Sequence, residues 1–147
     1  MPPYYTVRNK IGVIALEVAT SKSKDVTATG IGSHVIHSLR QQLMDCLVRA
    51  NQDNDVSGVV LVGSQESFLV GSDPLELLRK KTHSPPSLHS LMAAMEKFKV
   101  PVICGIHGQA LGVGLELSLG AHWRVAHRTA MLGFTDIQLG LMTSNYR

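Results

Sequence analysis

The chain has 147 residues, 44% of them hydrophobic and only 17% charged, which is enough for one domain with its own apolar core. Its formal net charge of +3 is spread thinly. The basic clusters Lys22/Lys24 and Arg79/Lys80/Lys81 are short and lack interleaved aromatics, which argues against a nucleic-acid partner. No stretch approaches the roughly 18 apolar residues of a membrane span, and residues 1–5 do not open a signal peptide, so a soluble, intracellular chain is expected.

Residues 7–16 form an apolar run with a polar opening and read as an initial strand centred on residues 11–16. Residues 20–29 are rich in Ser, Thr and Lys and read as a loop. Ser33 can cap a helix whose apolar stripe is Val35, Leu39, Leu43, Cys46, Leu47 and Ala50, ending where Asn and Asp crowd at residues 51–54. Residues 57–63, β-branched and closed by glycine, read as a strand covered on both faces. After the turn at Gly71-Ser72-Asp73-Pro74, a short helix over Leu75, Leu77 and Leu78 is expected. Ser84 before Pro85 offers a cap for a further helix with Leu88, Leu91, Met92, Met95 and Phe98 as its stripe.

Residues 100–106 read as a strand, with Pro101 near its start where a missing amide hydrogen does least harm. The stretch Gly108-Gln109-Ala110-Leu111-Gly112-Val113-Gly114 then reads as a tight bend into a helix holding Leu115, Glu116, Leu117 and Leu119, and residues 125–126 and 131–134 fit further short strands. The alternation indicates an α/β domain. Cys46 and Cys104 lie inside apolar runs and read as buried thiols in a reducing compartment. The histidines lack metal-ligand spacing, and no serine stands in a nucleophile elbow.

Three glycines joining a buried strand to a helix let backbone amides point into open space at the positive end of that helix, a place for an anionic oxygen. The stretch is neither a phosphate loop, since no Lys-Ser or Lys-Thr follows, nor a dinucleotide fingerprint, since the third glycine is missing. Close helix–strand packing would explain the glycines equally well. Glu116, set between two leucines in an apolar helix, is costly unless used or paired, or else an exposed first-turn acid. Asp136 is a second unexpected acid, readable also as a cap or turn residue.

Residues 105–120, GIHGQALGVGLELSLG, together with AHWRVAH at 121–127 and LGFTDIQLGL at 132–141, resemble the enoyl-CoA hydratase/isomerase, or crotonase, superfamily. They are most similar to the amino-terminal hydratase/isomerase domain of the peroxisomal-type bifunctional β-oxidation enzymes. The likeness is strong over residues 57–141 and weak over 19–31. It implies a crotonase-like (ClpP/crotonase) spiral of repeated β-β-α units, with residues 1–147 forming part of one such domain, truncated at its carboxyl-terminal end. By the same resemblance, the backbone amides of Ser72 and Val113 would hold the thioester oxygen. Glu116 and Asp136 would be the catalytic acids, and Phe68, Val70, Ser72, Asp73 and Gly112 would contact coenzyme A.

The activity so implied is hydration of 2-enoyl-CoA to 3-hydroxyacyl-CoA in β-oxidation, with coenzyme A as part of the substrate and no metal or other cofactor. A double-bond isomerase or a catalytically weak acyl-CoA-binding scaffold are the alternatives. A trimer-based homo-oligomer and a peroxisomal or mitochondrial location through a longer parent, otherwise cytoplasmic, follow from the same likeness. Two departures weaken it: Asp136 stands where the family has Glu, and residues 142–147 do not resemble the Pro-Gly-rich continuation.

Overall fold

A computed structural model describes residues 4–16, 37–63, 67–71 and 85–139. The chain opens with an antiparallel hairpin of β1 (Tyr4–Arg8) and β2 (Ile11–Ala15). Its two-residue turn places Asn9 and Lys10 at φ 49° and 64°, the left-handed pair that matches strand twist. The strand expected around residues 11–16 is β2, and the polar opening of the apolar run at residues 7–8 belongs to a separate strand, β1.

Helix α1 (His37–Gln52) buries Leu39, Leu43, Cys46, Leu47 and Ala50, as the stripe predicts. Arg40 is buried among them and donates from Nε to the Pro86 carbonyl at 2.9 Å. Strand β3 (Gly58–Val62) follows, then the two-residue β4 (Leu69–Val70). Helix α2 (Leu88–Glu96) is capped by Ser87, whose side chain accepts from the Ser90 amide at 3.1 Å. The expected cap, Ser84, lies outside the described residues. A helix starting at Pro85 is disfavoured because the residue before a proline, here Pro85 before Pro86, is pushed out of the helical region. The caps and helix proposed at Ser33 and residues 75–78 also lie outside the described residues.

Next come β5 (Val102–Ile106), β6 (Gln109–Leu111), α3 (Val113–Leu119), β7 (Trp123–Ala126), β8 (Met131–Gly133) and a 3-10 turn over Thr135–Leu139. The expected direct bend from strand to helix at residues 108–114 instead contains β6. Gly108, at φ 60°, turns the chain out of one sheet, and Gly112, at φ 54°, launches the helix.

The strands sort into two sheets. The larger has the order β1-β2-β3-β5-β7, parallel from β2 onward, and the smaller is the parallel set β4-β6-β8. Each of the pairs β3/β4, β5/β6 and β7/β8 sends its first strand to the large sheet and its second to the small one. The first two pairs are each followed in the chain by a helix. This is a repeated β-β-α unit of the crotonase-like kind. Between the layers lies one apolar core, in which Ile14, Leu61, Phe68, Leu69, Leu91, Met95 and Leu117 are fully buried. Both cysteines are buried free thiols, and burial pushes the Cys104 thiol up to about 12, with Arg124 partly opposing.

Candidate functional site

The small sheet fixes the site. Its register sets Val70, Leu111 and Gly133 side by side, so three parallel strands end at one level and their chains leave in the same direction. Ligands of parallel α/β sheets collect outside such carboxyl ends. Immediately beyond this level come Gly71, Gly112 and Phe134. Hydrogen bonding carries the alignment one step further, from the Gly71 amide to the Leu111 carbonyl at 2.9 Å and from the Gly112 amide to the Gly133 carbonyl at 2.8 Å.

Gly71 and Gly112 both adopt left-handed φ, 56° and 54°, so the chain turns sharply at two adjacent strand ends. Val113 opens α3 directly after the second turn and is buried. As a first-turn residue its amide has no intrahelical acceptor. Glu116 stands in the same first turn, its amide donating to the Gly112 carbonyl at 3.0 Å and its side chain only 1% exposed. Of the two readings open for Glu116, the exposed first-turn acid is thereby removed. The helix dipole favours a carboxylate at this end.

Gly114 plays a different part from Gly112. A Cβ at Gly114 would lie 2.1 Å from the Leu69 carbonyl oxygen, so this glycine lets α3 press against β4. Close packing and turn geometry thus divide the three glycines between them.

Asp136 lies in the 3-10 turn that follows β8, on the third chain leaving the common level, and its side chain is outside the described residues, as are Ser72 and Asp73. Val70 is half-buried at the strand end, whereas Phe68 is wholly enclosed in the core, leaving only its backbone near the site. Gly133, whose carbonyl ties β8 to Gly112, escaped the reading of the sequence because strand register is not a local signal. At the far end of α3, the Arg124 guanidinium donates to the carbonyls of Ser118 at 3.2 Å and Ala121 at 2.9 Å, satisfying the acceptors that a helix end leaves open. Among the described residues no group of three or more His, Cys, Asp or Glu could hold a metal ion, and no helix is long and apolar enough to cross a membrane.

The profile of the family described as enoyl-CoA hydratase/isomerase matches residues 35–146. The peroxisomal bifunctional enzyme of Cavia porcellus is 32% identical over 126 residues, covering 85% of this chain and 17% of its own length. A probable enoyl-CoA hydratase of Bacillus subtilis strain 168 is 35% identical over 107 residues, 69% of this chain and 42% of its own. Among solved structures, an enoyl-CoA hydratase subunit from Geobacillus kaustophilus HTA426 superposes with a TM-score of 0.77 at 20% identity, over 99% of this chain and 53% of that one. An enoyl-CoA hydratase/isomerase family protein from Silicibacter pomeroyi gives 0.78 at 20% identity, over 97% and 58%. This chain therefore spans little more than half the length of those solved structures and less than half of those curated relatives.

Proposed function

The chain belongs to the enoyl-CoA hydratase/isomerase family, and from that premise we propose that it binds a 2-enoyl-CoA thioester and adds water across its double bond to give 3-hydroxyacyl-CoA. The observation that carries this reading is the common level of Val70, Leu111 and Gly133. It makes neighbours of the chains that lead to Ser72, to Val113 with Glu116, and to Asp136. In this reading the amides of Ser72 and Val113 both donate to the thioester oxygen, and coenzyme A lies along Val70, Ser72, Asp73, Gly112 and the backbone of Phe68.

Attack at the β-carbon moves an electron pair onto that oxygen. A preorganised amide aimed there is worth about 3 kcal/mol. Glu116 and Asp136 hold the water between them; one carboxylate accepts a proton from it as the remaining hydroxyl joins the β-carbon, and the α-carbon takes a proton from the other acid, so that the pair as a whole neither gains nor loses a proton. Ser and Val at the donor positions do not disturb this chemistry, because the donors are main-chain groups. A metal is not required.

The test is the loss of 2-enoyl-CoA absorbance on adding the protein. Turnover in the wild type that disappears in Glu116→Gln is expected; a folded wild type that neither hydrates nor isomerises 2-enoyl-CoA sinks the proposal. A second reading, an acyl-CoA-binding module without turnover, is favoured by Asp136, whose carboxylate reaches about 1 Å less far than a glutamate, a misplacement that can cost about 100-fold. Calorimetry showing acyl-CoA affinity in the absence of product selects it. With the likeness to the bifunctional enzymes we further propose that residues 1–147 are part of a hydratase/isomerase domain of a β-oxidation protein, peroxisomal in setting; trimer-based assembly goes with the alternative in which that domain is a separate hydratase.

A further inference from the structure

Helix α3 is seven residues long, about 10 Å at 1.5 Å per residue, and helices under about 12 residues are marginal on their own. It also lacks the usual end fittings. Its amino-terminal cap is Gly112, with no side-chain bond to a first-turn amide, and its last turn holds no basic residue. Where Val113 and Glu116 stand is therefore decided by what grips α3 from outside. Two of the grips are close packing. Gly114 presses on β4 and Gly120 on α2, where an added Cβ would lie 2.1 Å from the Leu69 carbonyl oxygen and 2.7 Å from the Met92 Cα.

The third grip is Arg124. Its side chain reaches back from β7, and one guanidinium nitrogen donates to two carbonyls at the rear of α3, Ser118 at 3.2 Å and Ala121 at 2.9 Å. The Arg124 backbone is itself fixed by the parallel register of β7 on β5, with Cys104 beside Arg124. The approach to that strand is doubly tied: the His122 amide donates to the Val102 carbonyl at 2.9 Å, and the Val102 amide donates to His122 Nδ1 at 3.1 Å. Arg124 thus joins α3 to the large sheet, whereas Gly114 joins it to the small one. Packed surfaces limit approach but let a helix slide or turn; hydrogen bonds to two carbonyls are directional and oppose both movements.

We infer that Arg124 is a positioning residue, which fixes the Val113 amide and the Glu116 carboxyl by holding α3 from its far end. Ser118 lies two residues beyond Glu116 and five beyond Val113, about 3 Å and about 7.5 Å along the axis. Its hydroxyl also donates to the Leu115 carbonyl at 2.6 Å, so the held carbonyl and the acid share one tightly bonded turn. A displacement at Ser118 is passed to Glu116 almost whole. About 1 Å of it at the reacting atoms can cost about 100-fold in rate. The inference rests on the reading in which Val113 and Glu116 act on the thioester, but the placement of α3 is measurable without turnover.

The test compares Arg124→Gln and Arg124→Lys with Ser87→Ala, which weakens the fold at the α2 cap and leaves α3 alone. Amide hydrogen exchange along α3 is recorded together with the NMR shifts of the Val113 amide and the Glu116 carboxyl carbon. In Arg124→Gln, too short to reach the Ser118 carbonyl, exchange at Glu116 and Leu117 should quicken at least about tenfold and both shifts should move, with exchange in β3 as in the wild type. Arg124→Lys, charged but without the planar fork, should fall between the two. Where 2-enoyl-CoA is hydrated, kcat and kcat/KM should fall together in Arg124→Gln, at least about tenfold, the mark of support lost in the transition state. Ser87→Ala should change none of these.

Faster exchange confined to Gly120 and Ala121, with Val113 and Glu116 unmoved, makes Arg124 an ordinary helix cap and overturns the inference. An equal disturbance of α3 in Ser87→Ala overturns it too, as does a loss of kcat with no shift at Val113 or Glu116. If Arg124→Gln does not fold, Arg124→Met, which keeps the apolar stem and removes the donors, decides by the same measurements. A wild type that turns nothing over while the α3 signals respond as stated ends the hydratase reading and leaves the positioning by Arg124 standing.

Discussion

At position 136 a single methylene decides how far a carboxylate reaches from the turn after β8. If Asp136 takes the place of a catalytic glutamate, then Asp136→Glu should raise 2-enoyl-CoA hydration by up to about 100-fold, read as kcat/KM, with little change in acyl-CoA affinity. Cys104 shows the opposite situation, a reactive group silenced by its surroundings. Its thiol is fully buried and raised from 9.0 to about 12, first by desolvation, so thiol reagents should fail to modify it until the protein unfolds. The same shift bears on alkaline stability. Between pH 9 and about 12 the unfolded thiol has lost its proton and the native one has kept it, so the unfolded state binds fewer protons. Stability must then fall as pH rises through that window, by up to about 1.4 kcal/mol per pH unit from this group. Denaturant titrations on either side of pH 9 should show a smaller loss in Cys104→Ala than in the wild type, although the variant starts from a lower stability.

Among the elements, α3 depends most on what it lacks. Gly114→Ala would drive a methyl into the Leu69 carbonyl, a backbone atom that cannot swing aside, so α3 must lift from β4 and carry Val113 and Glu116 with it. A fall in thermal midpoint accompanied by loss of acyl-CoA binding is expected. Ser87→Ala serves as the contrast: it removes the α2 cap bond to Ser90, should cost about 1 kcal/mol, and should leave binding unchanged. These two positions also mark how far the sequence could be read. Helix α1 and strand β3 were legible because four- and three-residue apolar spacing, or a β-branched run, leaves little choice. Strand β1 was missed although Tyr4-Tyr5-Thr6-Val7 has strand-forming residues and Asn9 a turn signal. Strand β6 was missed because three residues between glycines carry no period of their own. Glu116 stood out as an acid among leucines, whereas the side-by-side ending of β4, β6 and β8 rests on register between distant segments, which no local pattern encodes.

On the scale of the whole molecule, the three strand pairs wind between two sheets so that sequence neighbours are separated and distant segments are joined. Ile11 pairs with Gly58, Val59 with Val102, and Ile103 with Trp123. Among the described strand pairings only the opening hairpin is local. Chain entropy must be spent closing these long loops before the parallel contacts return anything. Refolding from denaturant should therefore occupy milliseconds to seconds rather than microseconds, which stopped-flow emission from Trp123 can follow. On the ribosome the consequence is a waiting period: β2 and β3 emerge with their later neighbours still unmade, and their Val- and Ile-rich edges stay open to aggregation until residues 102–126 arrive. Yield in the cell should thus respond to synthesis rate and chaperone supply more sharply than the stability of the finished fold would suggest.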